Sequence, residues 1–247
     1  MTFGAHFQRF IAGASSYVKN AVTFDGSTTA VLRNGSAIDS NKKTFTMSAY
    51  FYKTDGGSGV ENIFTTGTSG GINRLTVRFS NGLASGGVQI QGSSSVTGVL
   101  TASFDLISGS HLDQWVHLAI SIDLSSTSKR KVFVNGSQIA DGDILWSTYS
   151  NTNMDFSACT NFCVGAAPDA GGQFFTGDMG DFYFDTAYTD LSSTIGNFYS
   201  ATMKKPPSGG KVTLYGATDT WHENKGTLTG FTEVGTLSTS TNLPVSI

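Results

Sequence analysis

Charged side chains are scarce in this chain: only 13% of its 247 residues are Asp, Glu, Lys or Arg, and the formal net charge is −3. Such a surface has no positive field to attract nucleic acid phosphates or anionic lipid. The one dense basic run, Lys129 to Lys131, falls between two strand-like segments, and we interpret it as a solvated turn. We therefore expect no nucleic acid partner.

Long apolar runs are also lacking. No stretch approaches the ~18 consecutive apolar residues that a membrane helix needs, so we expect a soluble protein without membrane insertion. The first 20 residues lack the basic segment and unbroken apolar segment of a secretory signal. We therefore expect synthesis in the cytoplasm without a signal peptide.

Cysteine and proline are rare, with two and four residues. Cys159 and Cys163 are four residues apart, which in an extended strand separates their Cα atoms by roughly 13 Å, too far for a disulfide. Because no His or second Cys pair lies nearby to complete a tetrahedral set of ligands, the pattern does not favour a zinc site. We expect both thiols to be buried and free.

Glycine and aromatic residues are abundant, and the apolar residues alternate with a period of two between turn-forming segments. The alternation is clearest in Thr44 to Thr54 and in Trp115 to Asp123. Asn135-Gly136 predicts a type I′ hairpin turn. Helical spacing occurs only in Asp190 to Ser200, where we expect a short surface helix. The pattern predicts an all-β fold.

The chain is predicted to contain one main domain. Residues 1–20 are neither a clean strand nor low complexity, and we expect an N-terminal arm there. Residues 21–203 form the predicted β body. The run Lys204 to Gly210 predicts a linker, so residues 204–247 are expected to be a linker and a small C-terminal β extension, with strands at Lys211 to Tyr215 and Phe231 to Leu237.

Five segments carry a recognisable pattern: Phe24 to Ser27, Asp113 to Asp123, Lys131 to Gly136, Phe175 to Asp185 and Thr189 to Ser193. They resemble laminin-G-like domains of the concanavalin A-like lectin and glucanase superfamily. The resemblance covers roughly residues 20 to 200 and implies a two-sheet antiparallel jelly-roll sandwich. Lectins, glucan hydrolases, adhesion domains and structural modules share that fold, so the fold alone does not determine the function.

The C-terminal segment carries a narrower resemblance. Val212 to Gly216, Trp221 to Gly226, Phe231 and Gly235 to Leu237 are similar to the end of laminin-G-like virion proteins of tailed bacteriophages. This implies a capsid decoration, tail fibre or tail-associated protein that assembles as a homo-oligomer and contacts other virion proteins.

The carboxylates argue against an enzyme. The resemblance implies that a glucan hydrolase of this fold would carry a strand with the pattern Glu-x-Asp-x-x-Glu. One glutamate of that strand acts as the nucleophile and the other as the acid/base. The chain has only three glutamates, none in that setting: Glu61, Glu223 and Glu233. We interpret the aspartates at 178, 181 and 185 as turn and strand-end residues, with a β-bulge near Gly180-Asp181.

Sugar binding requires an exposed aromatic face beside amides and hydroxyls. Trp146 and Tyr149 lie in a loop of that composition, and Tyr50 and Tyr52 follow the polar face of a predicted strand. These four are the candidate glycan-binding residues, whereas we expect Trp115 in the core. The alternative is that such aromatics fill the core or contact other subunits.

Calcium is the one candidate cofactor, since lectin-like domains hold Ca²⁺ with carboxylates and carbonyls of rim loops. Asp55 and Glu61 belong to one such predicted loop, and Asp141 and Asp143 to another. The alternative is that these residues form ordinary Asx turns.

The preferred hypothesis from the sequence is a non-enzymatic bacteriophage virion component. The second is a lectin-like adhesin that binds a cell-surface glycan or host surface polysaccharide, with an extracellular location as the alternative to the virion. An enzyme, such as a glycoside hydrolase, is third.

Overall fold

The computed structural model describes residues 20–54, 59–68, 73–80, 87–106, 113–201, 205–216 and 220–242. In these ranges the chain forms two antiparallel sheets of eight strands each, and one large apolar cluster draws side chains from both. This arrangement confirms the predicted two-sheet sandwich. The strands are β1 (Ala21–Asp25), β2 (Ala30–Asn34), β3 (Thr44–Tyr52), β4 (Glu61–Gly67), β5 (Asn73–Ser80), β6 (Gly87–Ser94), β7 (Thr97–Asp105), β8 (Trp115–Asp123), β9 (Arg130–Val134), β10 (Ser137–Gln138), β11 (Leu145–Tyr149), β12 (Asn161–Val164), β13 (Thr176–Asp185), β14 (Val212–Leu214), β15 (Phe231–Val234) and β16 (Ser238–Thr239).

The first sheet has the strand order β10, β9, β8, β3, β13, β1, β16, with β14 also paired to β13. The second has the order β11, β7, β6, β5, β4, β12, β2, β15. At the centre of the first sheet, β3 and β8 pair along their full length, from Thr44 opposite Asp123 to Tyr52 opposite Trp115. The inward residues of both strands are apolar and buried, as their period-two pattern predicts.

Two backbone features confirm local predictions. Asn135 and Gly136 both have positive φ, 48° and 76°, as a type I′ turn between β9 and β10 requires. In β13 the register against β3 shifts between Gly180 and Tyr183, and Asp181 has a φ of 50°. This bulge changes the phase of the strand, so residues on either side of it face the core despite their opposite parity.

The outer face of the first sheet is partly covered by a short helix, α1 (Leu191–Thr194), at the predicted position. Asp190 caps it by accepting a hydrogen bond from the Ser192 backbone N–H at 3.1 Å. Leu191 and Phe198 pack with Phe133 on that face. No helix within the described ranges is long and apolar enough to cross a membrane.

Both cysteines are buried and free, as predicted. Burial raises the pKa of the Cys159 thiol to about 11, so the side chain is a neutral core group at ordinary pH. Its Sγ lies 3.3 Å from the Thr66 hydroxyl.

The C-terminal segment, predicted as a linker and a small β extension over residues 204–247, pairs with strands of both sheets. Its strands β14, β15 and β16 pair with β13, β2 and β1 respectively. Trp221 is fully buried and meets Phe24 edge to face, with ring centroids 6.1 Å apart. The segment therefore completes both sheets and the common core. The predicted arm at residues 1–20, apart from Asn20, lies outside the described residues.

Candidate functional site

The edge strand β11 brings together two predicted sugar-binding residues. The rings of Trp146 and Tyr149 meet edge to face with centroids 5.6 Å apart. The guanidinium of Arg130 lies 4.6 Å from the Trp146 ring centroid and 5.2 Å from that of Tyr149. Arg130 belongs to the first sheet and β11 to the second. Trp146, Tyr149 and Arg130, which we call the Trp146 cluster, therefore link the two sheets.

Hydrogen bonds fix this cluster further. Trp146 Nε1 donates to the Asp141 carboxylate at 3.0 Å, and Arg130 Nε donates to the same group at 2.7 Å. The Tyr149 hydroxyl donates to the carbonyl of Asp123 at 2.8 Å, and burial raises its pKa above the ordinary range. Because Arg130 covers a ring face that a sugar would need, glycan binding at this position stays a prediction.

The prediction that Tyr50 belongs to a second sugar-binding surface is wrong, because this residue is only 3% exposed. Its hydroxyl donates to the Ser200 carbonyl at 3.0 Å and accepts from the Ser200 backbone N–H at 2.9 Å. The ring of Tyr199 stacks against it with centroids 6.4 Å apart. The chain after α1 therefore closes over this part of the sheet, a long-range contact that strand periodicity does not reveal.

Tyr52 is half-buried on the same outer face, with its ring centroid 5.8 Å from that of Trp115. The expectation that Trp115 lies in the core is wrong: it is half-buried and its Nε1 donates to the carbonyl of Asn242. The C-terminal segment thus supplies the partner of this outward-facing indole.

Two of the four predicted calcium ligands, Glu61 and Asp141, are engaged by other side chains. Glu61 begins β4, is buried, and forms a 2.7 Å salt bridge with Lys53, so its predicted exposed rim position is wrong. Asp141 accepts hydrogen bonds from Arg130 and Trp146. Asp143 is exposed, and Asp55 lies outside the described residues. In the described part of the chain, no three His, Cys, Asp or Glu side chains come together as a metal site.

His117 and Asp178 are buried polar residues with structural partners. His117 Nε2 lies 2.8 Å from the Ser48 hydroxyl, and burial lowers the pKa of the imidazole to about 3. Asp178 accepts hydrogen bonds from Thr23, Ser240 and Asn242. These contacts confirm a hydrogen-bonded structural histidine and assign Asp178 to joining β1, β13 and the C-terminal segment.

A pocket that the sequence analysis did not predict opens on the second sheet at strands β5, β6 and β7. Its volume is about 220 Å³. We call it the Arg74 pocket. It is lined by Arg74, Gln91, Gly92, Ser93, Gly98, Leu100 and Thr101.

Irregular strand pairing shapes the Arg74 pocket. The register of β4 against β5 shifts where Gly67 pairs with Asn73, which leaves Arg74 out of the ladder. The register of β6 against β7 shifts between Gly92 and Ser93. Bulges redirect side chains and bend strands. At Gly98 an added Cβ would meet no heavy atom within 4 Å, so the pocket wall is open there.

Arg74 is the unusual residue of the pocket. Its side chain is only 7% exposed, and its Nε lies 3.8 Å from the Asp155 carboxylate, beyond hydrogen-bond distance. Nε and Nη1 are buried and have no hydrogen-bond partner. Buried polar groups in proteins are nearly always paired, so two unpaired donors on a residue that lines a pocket are exceptional.

A second buried arginine shows the usual arrangement. Arg33 is 4% exposed, yet its Nε donates to the Thr229 carbonyl at 3.0 Å and its Nη1 to the Ser36 carbonyl at 2.9 Å. The contrast shows that the chain can give each nitrogen of a buried guanidinium a hydrogen-bond partner. The signal available in the sequence was the polar row of Arg74, Thr76 and Arg78 on one face of β5, but its burial depends on neighbouring strands.

Comparisons with known proteins agree with the architecture. The pattern described as the concanavalin A-like lectin/glucanases superfamily matches residues 24–190. No curated protein sequence matches the chain. Among solved structures, a native heptameric SAP-like pentraxin from Limulus polyphemus is 14% identical with a TM-score of 0.62, over 90% of this chain and 94% of that one.

Two further structures share the fold at low identity. A putative carbohydrate binding protein from Bacteroides ovatus ATCC 8483 is 16% identical with a TM-score of 0.56, over 81% of this chain and 52% of that one. The full extracellular region of zebrafish Gpr126/Adgrg6 is 16% identical with a TM-score of 0.52, over 89% of this chain and 27% of that one. With two stacked antiparallel sheets and a family match over most of its length, the chain belongs to the concanavalin A-like lectin/glucanases superfamily.

Proposed function

We propose that this protein is a non-enzymatic carbohydrate-binding module and that it binds one residue of a glycan in the Arg74 pocket. The observation that carries the proposal is the chemistry of the lining. Arg74, Gln91 and Thr101 line the pocket with hydrogen-bonding groups, and its wall is open at Gly98. A sugar ring presents hydroxyls at its rim, so it matches such a polar lining.

The size of the pocket supports a small ligand group. About 220 Å³ is below the ~300–1,000 Å³ typical of pockets for drug-sized molecules. The pocket therefore suits a terminal or branching sugar, with the remainder of the glycan outside it.

The absence of enzymatic activity is part of the same proposal. Most glycoside hydrolases use two suitably spaced carboxyl groups, and the described residues that line the pocket include no Asp or Glu. Glu61 is held by Lys53. Glu223 and Glu233 lie beside Lys225 and His222 respectively.

We further propose that the module belongs to a virion, where it acts as a capsid decoration, fibre or tail-associated protein. The similarity of the C-terminal segment to bacteriophage virion proteins supports this placement, and a secreted adhesin is the alternative. Virion proteins commonly form symmetric homo-oligomers. The mass of the purified protein in solution tests the oligomeric part.

The experiment that tests glycan binding is titration of the full chain against a panel of bacterial surface polysaccharides, with and without calcium. Two glycine variants locate the site, because an added Cβ meets no heavy atom within 4 Å at either position. Gly98→Leu extends the wall of the Arg74 pocket. Gly142→Leu places the same side chain beside Asp141, near Trp146.

We expect saturable binding that Gly98→Leu weakens by tenfold or more and Gly142→Leu leaves unchanged. The reverse result would move the site to the Trp146 cluster. A folded protein that binds none of the polysaccharides would overturn the proposed function, and release of reducing sugar ends during incubation would overturn its non-enzymatic part.

A further inference from the structure

The charge and the hydrogen-bond donors of Arg74 limit the chemical class of ligand that the pocket can bind. A guanidinium is permanently charged and carries five N–H donors but no acceptor. Burial of such a group is unfavourable unless it is paired. In Arg74 the buried Nε and Nη1 atoms have no hydrogen-bond partner, so a fitting ligand must bring acceptor atoms.

The neighbouring carboxylate of Asp155 does not accept a hydrogen bond from these Arg74 donors. Asp155 Oδ2 lies 3.8 Å from Arg74 Nε, which is an ion-pair distance without a hydrogen bond. Asp155 Oδ1 instead accepts from the Ser157 hydroxyl at 3.2 Å. Asp155 therefore reduces the local net charge without using the arginine donors.

A second arginine of β5 has a hydrogen-bond partner, in contrast to Arg74 Nε and Nη1. Arg78 lies four residues from Arg74 and its Nε and Nη2 both donate to Gln89 Oε1, at 2.9 and 2.6 Å. A neutral amide of the adjacent strand is thus enough to pair a guanidinium here. At the pocket Gln91 follows Gln89 on the same face of β6, yet Arg74 Nε and Nη1 remain without a hydrogen-bond partner.

We propose that the Arg74 pocket binds the carboxylate of an acidic sugar, with Arg74 as the carboxylate-binding residue. The inference rests on the proposed glycan-binding function and specifies its ligand class. A carboxylate offers two acceptor oxygens in the plane that matches the fork of a guanidinium. Gln91, Ser93 and Thr101 then lie around the sugar ring that bears this carboxylate, where amide and hydroxyl groups suit its hydroxyls.

The experiment uses matched ligands and matched variants of the full chain. The ligands are oligosaccharides that contain glucuronate or galacturonate, together with the same oligosaccharides after reduction of each carboxyl to the alcohol. The variants are Arg74→Gln and, as the control, Arg78→Gln. Both substitutions remove one positive charge from β5, but only Arg74 lines the pocket.

We expect both the reduction of the ligand and Arg74→Gln to lower affinity roughly 10- to 100-fold, the range of one charge-assisted contact. Combining them should add little, because they remove the two sides of one interaction. Arg78→Gln should bind the acidic oligosaccharides within about twofold of the unchanged protein. Acetate at millimolar concentration should not displace the oligosaccharide, which separates recognition of an acidic sugar from binding of any free carboxylate.

Other outcomes separate this inference from the broader proposal. Equal binding of acidic and reduced oligosaccharides at the same pocket would leave a glycan-binding module and overturn the carboxylate assignment. Equal losses from Arg74→Gln and Arg78→Gln would show a general charge effect and overturn it as well. If no polysaccharide of any charge binds, the proposed function itself fails.

Discussion

The guanidinium of Arg74 and the carboxylate of Asp155 face each other across 3.8 Å, close enough to interact electrostatically and too far apart to share a hydrogen bond. A buried arginine that stabilises a fold normally donates to several acceptors, as Arg33 does. The Arg74 side chain lacks such bonds at Nε and Nη1. We therefore expect the Arg74 side chain to contribute to ligand binding and little to the stability of the fold, which can be measured without ligand.

We predict that Arg74→Met changes the free energy of unfolding by less than about 1 kcal/mol, because it removes a buried charge together with a weak ion pair. Arg33→Met should lower it by roughly 2–4 kcal/mol, since the carbonyls of Thr229 and Ser36 lose their donors. Urea unfolding without ligand measures both. Equal losses in the two variants would assign Arg74 a structural role.

Trp221 tests whether the C-terminal segment belongs to the core. It is fully buried, so Trp221→Ala should lower the free energy of unfolding by about 3–5 kcal/mol. The control is Glu223→Ala, two residues away with 59% of its side chain exposed, which should change it by less than about 0.5 kcal/mol.

Deletion of residues 204–247 extends that test. It removes three strands that pair with β13, β2 and β1, and we expect the remaining chain not to reach the native fold. Native-like circular dichroism and a cooperative thermal transition in the truncated chain would show instead that the segment is a separable extension.

The sequence predicted elements that depend on local pattern. Residues 115–123 form β8 as expected, because alternation over nine residues predicts the strand and the face that packs in the main apolar core. The Asn135-Gly136 turn and the bulge near Asp181 were also predictable, since each requires a particular local backbone geometry.

Features that depend on distant segments were not predictable. The proline and glycine run before Lys211 suggested a boundary, but a linker-like composition does not reveal that later strands return to both sheets. Tyr50 is covered by residues after α1, about 150 positions away in sequence. The Arg74 pocket depends on register shifts in two strand pairs, which no single strand pattern encodes.

Lys53 and Glu61 form a buried salt bridge of 2.7 Å, with side-chain exposures of 2% and 8%. We predict that Glu61→Gln lowers the free energy of unfolding by roughly 3–5 kcal/mol, because it leaves the Lys53 ammonium buried without its counter-charge. The double variant Lys53→Met/Glu61→Gln should lose less than the sum of the single losses. Chemical denaturation of the four proteins measures this coupling.

Calcium provides a second readout for Glu61. If the carboxylate serves Lys53 and not an ion, the thermal midpoints of the unchanged protein and of Glu61→Gln should respond equally to added Ca²⁺ and to chelator. Stabilisation by Ca²⁺ that disappears in Glu61→Gln would support the calcium assignment made from the sequence.

Trp146 is held by Arg130 and Asp141, so we predict that Trp146→Ala acts on stability. The loss of the cation–π contact, one hydrogen bond and partly buried apolar area should lower the free energy of unfolding by about 1–3 kcal/mol. Glycan affinity should stay within about twofold, as measured by calorimetric titration. A large loss of affinity at unchanged stability would restore the Trp146 cluster as the sugar site.

His117 should make the fold sensitive to mild acid. It is fully buried, and burial lowers the pKa of its imidazole from 6.5 to about 3. Below pH 6.5 the unfolded chain binds a proton at this residue while the folded chain does not, so the free energy of unfolding falls as the pH is lowered. The loss from His117 should approach about 1.4 kcal/mol per pH unit and end near pH 3, where the folded protein also takes up the proton.

The variant His117→Gln isolates this effect, because glutamine keeps an amide that can reach the Ser48 hydroxyl and does not titrate. Unfolding free energies measured by urea denaturation at intervals from pH 7 to pH 4 should fall more steeply in the unchanged protein than in the variant. The carboxyl groups titrate in both proteins and cancel in the difference. Parallel pH profiles would mean that His117 takes up a proton in the folded state at its ordinary pKa, and therefore that water reaches the imidazole behind Tyr50 and Tyr199.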